Sequence, residues 1–344
     1  VRSVFYDIHG VLRARVRGFS AFTLAAFNDY HGFFAAEDGG EEPDLDVSIG
    51  PFLPDLSECR NLDHKYYVKR GHVYYRDTDK GLRWEVEISG LDGDSGPVRV
   101  RYHAPMSNRL KFPWCFFPEM VLNLYVLNPL LDLLFRRKGH YLLHAAGVEK
   151  DGRACLIAGR GGAHKTTFVM QLMRRGWNVL GDDMVLLRDA AVLAYPTVAE
   201  QLEYLHGHCE TEAMDLGKKL GLFRFLAMGE GRGLPVTIEA KAACVNLVFV
   251  RDCAAPALRE GWDAESLVSS LAVNHLMERN TYVGFKFSTA AFLDAYAFVF
   301  PEAGLQRYPA DLAEALRRGL SGLPFRVLEI PRRWDARALD LLLL

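Results

Sequence analysis

The chain has 344 residues, half of them apolar and 24% charged, which excludes a disulfide-stapled mini-protein and an intrinsically disordered chain. At roughly 150 residues per domain the length predicts about two domains. Lys plus Arg number 41 against 43 Asp plus Glu; a net charge of −2 supplies no field for holding a polyanion, so nucleic acid is not an expected partner.

The first 110 or so residues alternate short β-type runs (VFYDI, GVLRARV, KYYVKRGHVYYRD, LRWEVEISG, VRVRYH) with Gly, Asp and Pro punctuation such as EDGGEEPD. That rhythm predicts an antiparallel sheet with hairpins, a β-rich domain over residues 1–117 with no role the residues assign. The aromatic run Phe112, Trp114, Phe116, Phe117 reads as core. Residues 118–138 read as a bridging helix, with Met120, Leu124, Leu127 and Leu131 on one stripe. The apolar run from Val121 to Phe135 is no membrane span: Asn123, Asn128, Pro129 and Asp132 interrupt it, and it falls short of about 20 apolar residues. Near the start, Tyr6, Asp7 and His9 stand where a signal peptide needs an apolar centre. The six cysteines form no CxxC pair, and Cys155 and Cys244 lie in runs that read as buried strands. Together these predict a cytoplasmic protein with reduced thiols and no membrane partner.

From residue 139 to 344 the pattern predicts an α/β domain. YLLHAAGVEKDGRACLIAG reads as two strands joined by a turn at Lys150 to Gly152. A Gly-rich loop follows, then a helix over 166–175 closed by Gly176, then the strand WNVLGDDMVLL. Later come the strand VNLVFV, helices over 264–280 and 309–320, and the strand PFRVLEIP.

The loop Gly159, Arg160, Gly161, Gly162, Ala163, His164, Lys165, Thr166, Thr167 sits between a strand and a helix. Small residues let successive backbone N–H groups turn inward around phosphates. A Lys can reach β/γ oxygens, and a Ser/Thr hydroxyl at the helix start can ligate Mg²⁺. The pattern G-x-x-x-x-G-K-[ST] is met except at position 164, where His replaces Gly. Asp182 and Asp183 end the following strand, at the carboxyl edge where open α/β sheets hold ligands. Paired carboxylates there can bind Mg²⁺ or take a hydroxyl proton. His144, before the loop, can lie beside them.

The stretch LLHAAGVEKDGRACLIAGRGGAHKTTFVMQLMRRGWNVLGDDMVLL resembles the catalytic domain of HPr kinase/phosphorylase and related proteins over roughly residues 140–188. The register carries the resemblance: His144 to Gly159 is fifteen residues and Lys165 to Asp182 is seventeen. It implies an α/β P-loop kinase domain, related in fold to phosphoenolpyruvate carboxykinase and preceded by the β-rich domain. It also implies ATP and Mg²⁺ as cofactors and a serine-bearing protein, peptide or small molecule as acceptor, with homo-oligomerisation left open. On this resemblance Lys165 contacts the phosphates, Thr166 and Asp183 hold the metal, Asp182 takes the acceptor proton and His144 tunes the carboxylate. The chain departs from the family at His164 and at Thr167, where an acidic residue is usual, and no HPr-binding segment is found in residues 200–260.

Two other readings stay open. The loop also resembles the deviant KGGxGKTT loop of partitioning-type ATPases, with Arg160 at the signature Lys position. Alternatively, His164 closes the nucleotide site and the domain is a non-catalytic binding module. The run His206, His208, Cys209, Glu210 offers metal-ligand types too close in sequence to converge on one tetrahedral ion. The Gly229 to Pro235 loop reads as a connection, and the RRWDAR run as a solvated helix start.

Overall fold

The computed structural model describes residues 2–18, 31–79, 82–93, 96–105, 121–197, 199–228, 233–280 and 291–343. The aromatic run 112–117, Met120 and Gly229–Arg232 lie outside them. The protein is α/β, with two mixed sheets and several helices. It divides into two compact units, Val1–Lys138 with Arg279–Tyr308, and Gly139–Glu278 with Pro309–Leu344. The chain thus returns once to the first unit through 279–308, a stretch the sequence reading places in the later domain.

Among the described residues the first unit carries nine strands: β1 (Arg2–Ile8), β2 (Leu12–Gly18), β3 (Ala35–Ala36), β4 (Leu45–Ile49), β5 (Arg60–Leu62), β6 (Tyr66–Lys69), β7 (His72–Asp79), β8 (Leu82–Ser89) and β9 (Val98–His103). They lie in the order β3-β1-β2-β4-β9-β8-β7-β6-β5. Strict alternation, as in LRARVRG and VRVRYH, buries Leu12, Ala14, Val16, Val98, Val100 and Tyr102 on one face. The expected all-antiparallel sheet is corrected in its middle, where β4 runs parallel to both β2 and β9. Alternation encodes a buried face but not strand direction. The buried Asp46 on β4 is neutralised by Arg15 and Arg17 of β2, at 2.6 and 2.8 Å.

Residues 121–127 form a π-helical turn that leads into α1 (Asn128–Arg137), whose apolar residues 130, 131, 133, 134 and 135 are buried. Both belong to the first unit. In the returning segment Tyr296 accepts the Gly71 N–H through its hydroxyl at 2.8 Å.

The second unit holds β10 (Tyr141–Leu143), β11 (Ala145–Lys150), β12 (Arg153–Gly159), α2 (Lys165–Met173), β13 (Asn178–Gly181), β14 (Val185–Arg188) and β15 (Ala191–Leu193). The helices α3 (Ala199–His208) and α4 (Leu216–Met228) follow, then β16 (Glu239–Arg251) and β17 (Ala257–Leu258). After α5 (Ala264–Asn280), the segment Ala291–Val299 is α6 of the first unit, and α7 (Tyr308–Leu320), β18 (Phe325–Pro331) and α8 (Arg337–Leu343) complete the chain.

Strands β12, β16 and β18 are mutually parallel, while β11 is antiparallel to both β12 and β13. The last residues of β12 and β13 and the first of β11 therefore meet at one sheet edge. Cores from β11, β12 and α2 pack beneath it, with Phe168, Val169 and Leu172 fully buried. Among the described residues no helix is long and apolar enough to cross a membrane.

Candidate active site

Two strand breaks create the site. The sequence HAAGVEK reads as one strand with the residues before it, but the backbone bends at His144 so that β10 pairs with β14 and β11 with β12 and β13. The expected strand through NVLGDDMVLL is likewise two, β13 and β14, with Asp182 and Asp183 in the break. Gly181 enforces that break, since a Cβ there would meet the Met184 carbonyl oxygen at 2.0 Å.

At the end of β12 a Cβ on Gly159 would meet the Val248 carbonyl oxygen at 2.7 Å and the Ala163 Cβ at 2.8 Å. Gly159→Ala is expected to destabilise the fold by about 2 kcal/mol, the usual scale of overpacking, as read by urea denaturation. The loop then turns through Ala163 N–H to Arg160 O at 3.0 Å, leaving Gly161 and Gly162 exposed. Gly162 has φ +81°, and open space surrounds both glycines.

Lys165, 6% exposed at the first position of α2, turns back over the loop. Its Nζ donates to Gly159 O at 3.0 Å and lies 2.9 Å from His144 Nε2 and 3.2 Å from Asp183 Oδ1. His144 Nε2 is 3.1 Å from that same carboxylate oxygen, so the three side-chain heads form a closed triangle. Asp183 is 45% exposed. Burial works against its charge, but His144 and Lys165 outweigh that and hold its carboxyl well below the ordinary carboxylate range.

Asp182 is the contrasting neighbour. It is buried, its Oδ1 has no hydrogen-bond partner, and burial together with the Asp183 charge pushes its carboxyl up to about 7. Two adjacent carboxylates thus carry opposite shifts.

The structure brings together His144, Lys165, Asp183 and the loop backbone. It also adds residues that carry no motif. Helix α5 clamps His144 from both sides: the His144 N–H donates to His275 Nδ1 at 3.2 Å, and Asn274 Nδ2 donates to His144 O at 2.9 Å. Arg160 donates to Asn274 O at 3.2 Å and pairs with Glu278 at 3.3 Å. Glu278 Oε2 also lies 3.9 Å from His144 Nδ1.

His164 takes φ +57°, the left-handed conformation for which the motif uses Gly. Its ring turns to other partners than those of Lys165: Nε2 lies 3.0 Å from Arg332 O, Nδ1 3.4 Å from Glu212 Oε1, and the ring meets Trp334 edge-on at 5.8 Å. Glu212 holds the imidazole above its ordinary pKa against the opposing effect of burial. Thr167 is fully buried and its hydroxyl accepts the Glu212 N–H at 3.3 Å, while Thr166 is half-buried in the first turn of α2. Trp334 packs on Phe168 at 4.9 Å, so the RRWDAR run is not simply solvated. In the His206–Glu210 run, His208 instead stacks on Tyr204 at 4.5 Å.

Among the described residues, His144, Asp183 and Glu278 can present one ligand atom each within 4.8 Å of one another. Asp183 and Glu278 supply hard carboxylate oxygens, suited to a cation such as Mg²⁺. A loop open at Gly161 and Gly162 above a buried ammonium suits a phosphate chain. Compared with known proteins, the chain matches no protein-family model and no curated sequence.

Proposed function

We propose that the chain is an ATP-dependent kinase of the HPr-kinase-related, P-loop type, transferring the γ-phosphoryl group to a serine-type hydroxyl of a protein, peptide or small molecule. The observation that carries this reading is the closed triangle of Lys165, His144 and Asp183 against the first loop glycine, with the orphaned Oδ1 of Asp182 on the neighbouring residue of the chain.

In this mechanism the N–H groups of Gly161, Gly162, His164 and Lys165 bind the phosphate chain at the start of α2, where the helix dipole favours an anion, while the Ala163 N–H keeps its bond to Arg160 O. Lys165 exchanges Asp183 for β/γ oxygens, a local transfer of an ammonium already desolvated and aimed. Mg²⁺, when bound, would be held by Thr166 and Asp183 and would draw charge from the phosphoryl oxygens. His144, fixed by Asn274 and His275, keeps the Asp183 carboxylate oriented as the ammonium leaves it. Asp182 takes the proton of the acceptor hydroxyl as the hydroxyl oxygen bonds the γ-phosphorus, and the bond from the γ-phosphorus to the β–γ bridging oxygen breaks, that oxygen leaving on ADP.

A carboxyl shifted up to about 7 sets the sign of the pH dependence. Protonated Asp182 cannot act as a base, so kcat/KM is expected to rise with pH and level off above about 7. A profile flat from pH 5 to 8 would remove Asp182 from this role. His164 leaves the loop open by engaging Arg332, Glu212 and Trp334, which supports nucleotide binding over a closed, non-catalytic module. The test is to incubate the chain with γ-labelled ATP, Mg²⁺ and serine-bearing acceptors, free serine included. Label on an acceptor supports the reading, and hydrolysis or binding with no transfer to any acceptor overturns it.

A further inference from the structure

Away from the loop, at the opposite end of the same strand, lies a polar cluster that phosphate chemistry does not use. Cys155 on β12 is in register with Cys244 on the adjacent parallel strand β16, immediately after a β-bulge that shifts the register between Ala154 and Cys155. Registered neighbours share a sheet face, and parallel strands lie about 4.8 Å apart, inside the Cα separation a disulfide spans. Cys155 is 2% exposed, whereas Cys244 is only partly buried. Two residues along β16, on that face, the fully buried Asn246 donates its amide to the Cys155 sulfur at 3.2 Å. Arg326 of β18 is in register with Asn246, and Arg153 precedes Cys155 by two positions. Two guanidinium groups and an amide donor therefore share one face with two thiols.

We propose that Cys244 is an oxidation site for hydroperoxides and that Cys155 resolves it into a disulfide across β12 and β16. The Cys155 thiol, by hydrogen-bonding Cys244, lowers the Cys244 thiol; burial opposes this, and Arg326 and Arg153 reinforce it. The same contact and burial push the Cys155 thiol up, so it remains the protonated partner.

The steps balance. The Cys244 thiolate attacks one oxygen of hydrogen peroxide, breaking the O–O bond to give a sulfenic acid and hydroxide. The Cys155 sulfur then attacks the Cys244 sulfur, forming the S–S bond, and its proton leaves with the departing hydroxide as water. Two electrons pass from the thiol pair to the peroxide.

The test uses the reduced full chain treated with hydrogen peroxide at pH 7, alkylated and digested with trypsin. The expected product joins peptides 154–160 and 242–251, each holding one cysteine, two hydrogens lighter than their sum. In Cys155→Ala the sulfenic acid persists at Cys244 and is trapped by dimedone; in Cys244→Ser, Cys155 stays a thiol. Without oxidant, iodoacetamide is expected to label Cys244 about tenfold faster than the half-buried Cys253. Recovery of both cysteines as thiols under peroxide that oxidises Cys59 or Cys253 would overturn the proposal. So would equal oxidation of Cys155 in Cys244→Ser. Neither readout involves nucleotide, so the result is independent of the kinase reading.

Discussion

Asp182→Asn is expected to slow phosphoryl transfer sharply and at the same time to stabilise the fold above neutral pH. In the unfolded chain this carboxyl ionises near 3.8, and in the fold it is pushed up to about 7. Between those values the folded state holds a proton that the unfolded state has released. Stability therefore falls as pH rises from about 4 to about 7 and stays at the lower level above it. An amide needs no ionisation, so the variant is expected to gain on the order of 3 kcal/mol relative to the parent at pH 8 and nothing at pH 3. Loss of the base is expected to lower kcat about 1,000-fold. Urea denaturation at the two pH values checks the first effect. A variant no more stable than the parent at pH 8 would show that the buried carboxyl carries no such strain.

The second large effect is expected from Lys165→Met. The substitution preserves most of the buried aliphatic stem but removes an ammonium that meets Gly159 O, His144 and Asp183. Charge-assisted bonds to a phosphate are worth about 2–3 kcal/mol, so Mg·ATP affinity is expected to fall about 100-fold, with transfer lost. Asp183 loses the Lys165 ammonium, and its carboxyl is expected to titrate at higher pH than in the parent, observable by carbon-13 NMR of labelled aspartate. A parent-like affinity in a folded Lys165→Met chain would mean that the ammonium does not meet the nucleotide.

Half of this site was legible in the chain because its residues are tied to local backbone demands. Gly159 and Gly181 stand where a Cβ would strike a carbonyl oxygen, and Lys165 opens a helix after a Gly-rich turn. The spacing of His144, Gly159, Lys165 and Asp182 follows from the antiparallel pairing of β11 with β12 and β13, which returns all four positions to one edge. The contribution of α5 was not legible. The helix itself was expected over 264–280, but Asn274, His275 and Glu278 look like any polar face until pairing at a separation of about 130 residues brings them to His144. His164 was legible as a departure and not in its outcome. The missing glycine implies a left-handed residue, but only tertiary contacts with Glu212, Arg332 and Trp334 decide where the ring goes. In the first unit, alternation located the strands yet carried no information on direction, so the parallel placement of β4 emerged only from its register with β2 and β9.

Calorimetric titration of the chain with Mg·ATP, repeated on Lys165→Met, tests most directly whether the loop after β12 is a phosphate site. One nucleotide per chain, with affinity reduced about 100-fold in the variant, is the expected result. Absence of binding by the parent chain, or binding of equal strength by both, would contradict it.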